Sequence, residues 1–275
     1  RAAAALTGQP LTDAAAAQVA RICARLEGIP LAIELAAART RQLSLDQLEA
    51  RLEDRFAVLK DGRHAARPGH ETLWSAMDWS FDLLTRPEQQ LLARLTVFRG
   101  GWTLEAAEAV CSGDGVAEGD VLALLAQLDA KSLVYRRDSG AATRFTMLET
   151  VRQHAADRTA GIGGAGGALD RHLSYFADLA VTAASAWRGP GQEVWWARLL
   201  ADDANLHAAM TYAAAGGGVR TGMRLGAALT GYWIRRGQLV EGEATLRLLA
   251  ESASDHRSPE YAQLQCSAAD LAIGR

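Results

Sequence analysis

The chain has 275 residues, 49% of them hydrophobic and 22% charged, room for two or three small domains of ordinary globular composition. A net charge of -3 gives no global attraction to nucleic acid or an anionic membrane, and no stretch approaches the ~18–20 apolar residues that span a bilayer. Cys23, Cys111 and Cys266 are odd in number, far apart and in no CxxC pair, which predicts reduced, buried thiols of a cytoplasmic protein rather than a disulfide frame or zinc site. Arg1 opens no signal sequence and Gly274-Arg275 falls inside a continuing helical pattern, so both ends read as cut.

Alanine, leucine, arginine and glutamate dominate, and all favour helix. Thr12 is placed to cap a helix to about Glu27, striped with Val19, Ile22, Cys23 and Leu26. Gly28 then supplies a left-handed stop, and Pro30 sits in the first turn of a helix through Leu31, Leu35 and Ala38. Ser44 and Gln47 form a capping box for a helix marked by Leu45, Leu48, Leu52, Phe56 and Leu59. A polar link follows over Asp61 to Gly69.

The next unit begins with a helix through Leu73, Trp74, Met77, Phe81 and Leu84. Thr85 and Glu88 form a second capping box, opening a helix through Leu91, Leu92 and Leu95. Gly100-Gly101 ends it, Thr103 starts a short helix to Cys111, and another runs from Val121 to Ala130. The period then changes. Leu133 to Tyr135 and Arg144 to Met147 read as strands of a hairpin around Asp138-Ser139-Gly140. A helix resumes from about Glu149 to Arg158. Three helices and a β-hairpin are the layout of a winged helix.

Gly161 to Gly167 holds five glycines and reads as a flexible linker between independently folded halves. Beyond it, helices are predicted through Leu169 to Trp187, a helix or pair of helices through Trp195 to Met210, and helices over Met223 to Arg235, Val240 to Glu251 and Glu260 to Ile273. Successive helical hairpins suggest an α-solenoid, although the match to any repeat consensus is weak. The fold class is therefore mainly α: a helical subdomain, a winged helix with a small β-hairpin, and a TPR-like solenoid.

The most informative segment is Leu26-Glu27-Gly28-Ile29-Pro30-Leu31-Ala32-Ile33-Glu34-Leu35. By spacing alone it is ordinary helix–turn–helix punctuation. Its glycine also permits a sharp turn, and its proline offers a flat, donor-free ring that could pack on a purine. The segment resembles the GLPL motif of NB-ARC and STAND signalling ATPases. The resemblance continues through Glu71 to Leu84, Leu95 to Glu108, Lys131 to Val134 and Arg144 to Arg152, which are similar to the winged-helix domain of bacterial transcriptional regulators of that kind. It covers nearly the whole chain and places a GLPL-type helical subdomain at 1–65, a winged helix at 66–160, the linker at 161–167 and a truncated TPR-like region at 168–275.

The resemblance implies that Gly28, Ile29, Pro30 and Leu31 lie on the adenine side of ATP or ADP in a longer parent protein. Met147-Leu148-Glu149 falls where many relatives carry Met-His-Asp, whose histidine senses phosphate. Leu148 carries no donor or charge, which puts that sensor in question; Met147 and Leu148 read as core residues and Glu149 as a helix start. The implied function is the regulatory, signal-receiving part of a STAND-type ATPase. Its expected partners are an upstream P-loop domain of the same protein, a protein or small-molecule signal on the helical repeats, and DNA through a domain outside these residues, with no membrane.

A phosphate loop needs a Gly-Lys pair, and none occurs here, so the segment itself is expected to be no enzyme, to have no catalytic residues and to bind no nucleotide tightly, its parent being a slow ATPase switch. The six histidines show no metal-ligand spacing and read as surface or half-buried residues. Trp187, Trp195, Trp196 and Trp233 sit at helical spacings that suit packing. The alternative function is a DNA-binding winged helix with a helical interaction tail. Charge weighs against it: residues 66–160 hold 10 Lys and Arg against 13 Asp and Glu, the helix before the hairpin offers only Lys131, and the wing only Arg136, Arg137 and Arg144.

Overall fold

Small side chains and two capping boxes organise the first helices. In the computed structural model the described residues are 13–26, 28–40, 42–50, 52, 70–138, 143–159, 165–187 and 189–274. Helix α1 (Asp13–Arg25) leads through a tight turn into α2 (Pro30–Arg39). The Gly28 N–H donates to Cys23 O at 3.1 Å and Gly28 adopts φ +70°, the left-handed conformation glycine enters without a Cβ penalty. Ser44 and Gln47 cap each other as predicted, the Ser44 N–H donating to Gln47 Oε1 at 3.0 Å and the Gln47 N–H to Ser44 Oγ at 3.2 Å. Helical backbone follows over 45–50. Ile22, Leu26, Ala32, Ala36, Leu48 and Leu52 form a small core, closed by Ala76 and Trp79 of α3 (His70–Asp82). The predicted positions Phe56 and Leu59 and the link at 61–69 lie outside the described residues.

The winged helix comprises α4 (Arg86–Leu95), β1 (Trp102–Thr103), α5 (Leu104–Cys111), α6 (Val121–Ala130), β2 (Tyr135–Asp138), β3 (Thr143–Thr146) and α7 (Glu149–Thr159). Glu88 accepts from the Thr85 N–H at 2.7 Å, so the second capping box forms. Thr103 Oγ1 accepts from the Ala106 N–H at 3.2 Å and caps α5. The sheet is antiparallel with strand order β1-β3-β2, pairing Trp102 with Phe145 and Phe145 with Arg136. Gly101 is required where β1 approaches β3: its φ is +102°, and a Cβ there would stand 2.7 Å from Phe145 O.

Two predictions are corrected in this region. The first strand begins at Tyr135, not Leu133, because Ser132 turns left-handed at φ +57° and the Leu133 N–H still bonds back to Leu128 O at 3.0 Å. Leu133 and Val134 are consequently buried in the turn after α6. The two-residue β1 was not anticipated, since it is too short to show a period.

The C-terminal part is helical throughout: α8 (Ala165–Ala186), α9 (Gln192–Ala201), α10 (Asp203–Ala214), α11 (Val219–Ala228), α12 (Thr230–Arg236), α13 (Leu239–Glu251) and α14 (Pro259–Ile273). The helix expected from Met223 to Arg235 is broken at Leu229 into α11 and α12. Trp187 and Trp196 meet edge to face at 5.9 Å and Trp233 is buried, so these rings pack helices as expected.

The glycine run is the clearest correction. Helix α8 takes in Gly166 and Gly167, so the predicted linker at 161–167 is helical from Ala165 onward. Nor are the flanking parts independent, because one hydrophobic core runs from Leu91 and Phe98 to Phe176 and Leu271. Phe98 meets His172 at 5.3 Å and Phe176 at 6.4 Å, and Arg171 Nε donates to Val110 O at 2.7 Å. Close-packed aromatic contacts of this kind oppose separation of the two parts.

Candidate functional site

The turn at 28–31 points its four residues in different directions. Ile29 packs into the small core and Leu31 against the large one, whereas Gly28 and Pro30 are exposed. Pro30 occupies the first turn of α2, where its missing N–H has no helical acceptor to disappoint, and Ile29 O accepts from the Ile33 N–H at 3.0 Å. Of the four candidates, Gly28 and Pro30 are exposed, while Ile29 and Leu31 are partly buried.

Helix α2 is tied firmly to the winged helix. Leu35 joins Met77 and Phe81 in the large core, and the Tyr135 hydroxyl donates to Glu34 Oε2 at 3.2 Å. Arg39 is wholly buried and donates through Nη2 to Ser80 O at 2.8 Å and Oγ at 2.6 Å. Its Nε and Nη1 meet no acceptor, and burial holds its pKa down to about 10. Nearby, Glu88 is wholly buried and paired with Lys131. Burial alone would raise the Glu88 carboxyl, but Lys131 and the Thr85 donors hold it below its ordinary range. The sequence marked Glu88 only as a cap and Lys131 only as a lone basic residue before the hairpin.

At 147–149 the structure departs from expectation. Met147 packs against the core, but Leu148 is 42% exposed rather than buried, because it stands in the extended link between β3 and α7 with its side chain turned outward. Glu149 opens α7 and accepts from Arg152 Nη2 at 2.5 Å; this hydrogen bond draws its pKa to about 2. The Arg99 guanidinium adds positive charge there.

A second polar cluster, missed in the sequence, joins the winged helix to the C-terminal helices. The Arg99 N–H donates to Asn205 Oδ1 at 2.7 Å, and Asn205 Nδ2 to Gly101 O at 2.8 Å. Arg144 Nη2 donates to Asp202 Oδ1 at 2.7 Å and Arg198 Nη2 to Glu105 Oε2 at 3.1 Å. Asp202 and Asn205 are buried, as is His172, whose pKa burial lowers to about 4. Asp202-Asp203-x-Asn205 carries no motif that distinguishes buried acceptors from a solvated helix start. His154 is also buried, its Nε2 2.9 Å from Asp78 Oδ1, so two histidines lie deeper than their spacing suggested.

In winged helices the helix preceding the wing is the element that enters a DNA groove. Here that helix, α6, exposes Leu122, Ala123, Ala126, Gln127 and Asp129, and no basic side chain. Arg136 and Arg137 are exposed on the wing, but Arg144 is engaged by Asp202.

Among the described residues no group of three His, Cys, Asp or Glu could hold a metal ion, and no helix is long and apolar enough to cross a membrane. Cys111 is buried, which pushes its thiol up to about 12, while Cys23 is half-buried and Cys266 exposed; the expectation of three buried thiols holds for one.

Comparison with known proteins bears on the same elements. Residues 84–160, from the end of α3 through α7, match the family described as Winged helix-turn-helix domain. Over 242 residues the chain is 37% identical to proteins provisionally named HTH-type transcriptional regulators in Mycobacterium bovis and Mycobacterium tuberculosis, a match covering 88% of this chain and 27% of each relative. Over 162 residues it is 41% identical to an uncharacterized protein of Mycobacterium tuberculosis, covering 58% of this chain and 41% of that protein. The chain thus spans about a quarter of the length of the regulators it matches.

Proposed function

We propose that this chain is the regulatory part of a STAND-type ATPase that acts as a transcriptional regulator. In this reading the GLPL helical subdomain closes over nucleotide, the winged helix relays the state and the helical repeats receive a signal. The observation that supports it is the division of labour at the turn: Ile29 and Leu31 anchor the segment in two cores while Pro30 remains exposed beside a left-handed Gly28. Pro30 and Gly28 would hold the adenine side of ATP or ADP. The nucleotide would supply charged phosphates, which an upstream P-loop domain of the same protein would grip.

The packing of α2 on the winged helix gives such a site a route outward. Any shift of α2 is felt by Leu35, by the Glu34–Tyr135 hydrogen bond and by buried Arg39. Because the chain itself carries no phosphate-gripping loop, it should release no phosphate from ATP and bind ADP feebly, whereas the full-length protein should bind tightly and turn over slowly. Calorimetry with ADP and a phosphate-release assay on both proteins test this; equal ADP affinities, or turnover by the chain alone, would refute the division between them.

A second reading, DNA binding by this winged helix, draws on the domain match and on the names of the relatives. The uncharged outward face of α6 apart from Asp129, and the engagement of Arg144 and Lys131 in ion pairs, favour assigning DNA contact to another part of the full-length protein.

A further inference from the structure

A cleft of about 700 Å³ lies between α10, α12 and α13, within the range of roughly 300–1,000 Å³ that small organic ligands occupy. Its apolar lining comes from Leu206, Met210, Leu229 and Trp233, and the winged helix contributes Arg99 to the wall. Three charged side chains line it, and among the described residues only Asp203 is in an ion pair. Asp203 accepts from Arg236 Nη1 at 2.5 Å and from the Tyr232 hydroxyl at 2.7 Å. Arg99 spends Nη1 on the carbonyls of Thr96 at 2.7 Å and Phe98 at 3.0 Å, and meets no carboxylate within ion-pair distance among the described residues. Glu241 is exposed; its carboxylate accepts from Gln238 Nε2 at 2.9 Å and pairs with no cation among the described residues.

Arg99 feels Glu149 but forms no ion pair with it, and Glu241 forms none among the described residues, so an apolar wall carrying this cation and this anion is complementary to a molecule of the opposite arrangement. We propose that this cleft binds a small zwitterion with an apolar body, an amino acid or short apolar peptide, with its carboxylate on Arg99 and its ammonium on Glu241. Charge-assisted hydrogen bonds at both ends fix its direction, and Trp233, Leu229 and Met210 desolvate its side chains. Arg99 is also the residue whose N–H is held by Asn205, so the ligand would touch the joint between winged helix and helical repeats directly. The inference rests on reading the helical repeats as the signal-receiving part.

The test is isothermal calorimetry on this chain with the dipeptide Phe-Phe, its N-acetyl form and its C-terminal amide. The free dipeptide should bind about tenfold or more tighter than either capped form, since each capped form lacks one of the two charged ends. Glu241→Gln should abolish the preference over the N-acetyl form while preserving that over the amide, and Arg99→Gln should do the reverse. Glu241 is exposed, so its arm stands even if Arg99→Gln lowers the melting temperature. Binding of all three forms within threefold, no binding at millimolar concentration, or an unchanged preference in Glu241→Gln would overturn the proposal. The measurement contains no nucleotide, so its failure is separable from failure of the ADP experiment on the full-length protein.

Discussion

Asn205 Oδ1 accepts the backbone N–H of Arg99 at 2.7 Å, a bond between residues 106 positions apart that fastens the C-terminal helices to the winged helix. The same side chain donates to Gly101 O and is fully buried. Asn205→Ala should therefore strand a donor and an acceptor, costing roughly 3 kcal/mol of stability at about 1–3 kcal/mol per orphaned group. Urea denaturation checks it. A loss below about 1 kcal/mol would mean that water replaces the amide. The unsubstituted 275-residue chain should unfold in one transition, because a shared core leaves neither part a complete interior.

Lys131→Met should destabilise by about 3–5 kcal/mol, the usual consequence of leaving a buried charge without its partner. Glu88 is the charge so stranded. Adding Glu88→Gln to the same chain should restore part of the loss. A double-mutant cycle with no coupling would show that the pair contributes nothing specific.

Stability should fall as the pH drops from about 6.5 toward 4. The folded pKa of His172 is lowered from 6.5 to about 4, so in that window the unfolded chain binds the proton that the folded chain refuses. The 2.5-unit interval sets a ceiling of roughly 3 kcal/mol for this one group. His172 faces Asn205, Asp202 and Arg99, and meets Phe98 edge-on and Phe176 at a tilt. Thermal melts of the parent chain and of His172→Phe across pH 4–7 isolate the contribution: the variant should lose this part of the slope, and identical slopes would contradict the assignment.

Helix placement was legible in the sequence at the caps and over several of the periodic stretches, though the one from Met223 to Arg235 breaks at Leu229. Ser44 with Gln47, Thr85 with Glu88, and Thr103 all cap as read, and α6 runs over the predicted Val121 to Ala130. What was not legible is tertiary. The glycine run looked like a linker because five glycines disfavour order locally, yet packing of α8 against α5 and Phe98 carries the helix back to Ala165. Leu148 looked like core because apolar residues usually are; its position between β3 and α7 turns it outward. Of the candidate site, the sense of the turn at Gly28 and the first-turn place of Pro30 were readable. The Asp202–Asn205 cluster was not, since its partners in the winged helix and α8 lie from 33 to 106 residues away.

Duplex DNA should not be held by the winged helix in a sequence-dependent way at physiological salt. Fluorescence anisotropy at low and physiological salt distinguishes the outcomes. Weak association through Arg136 and Arg137 should vanish as counterions compete. Arg144, committed to Asp202, should contribute little even to that, which removes one of the three wing charges the sequence offered. Retention of a preferred sequence at physiological salt would instead assign the groove-reading role to α6.

The most direct test of the nucleotide reading is ADP affinity in the full-length protein carrying Pro30→Ala. Alanine is a good helix former at this exposed first-turn position, so the fold should lose little. If the ring supports adenine, calorimetry should give an affinity about tenfold weaker, or ~1.4 kcal/mol, the scale expected for deleting one apolar ring from the wall of a closed pocket. Equal affinities for proteins of matched melting temperature would contradict the account and return Gly28 and Pro30 to the role of a joint between two helices.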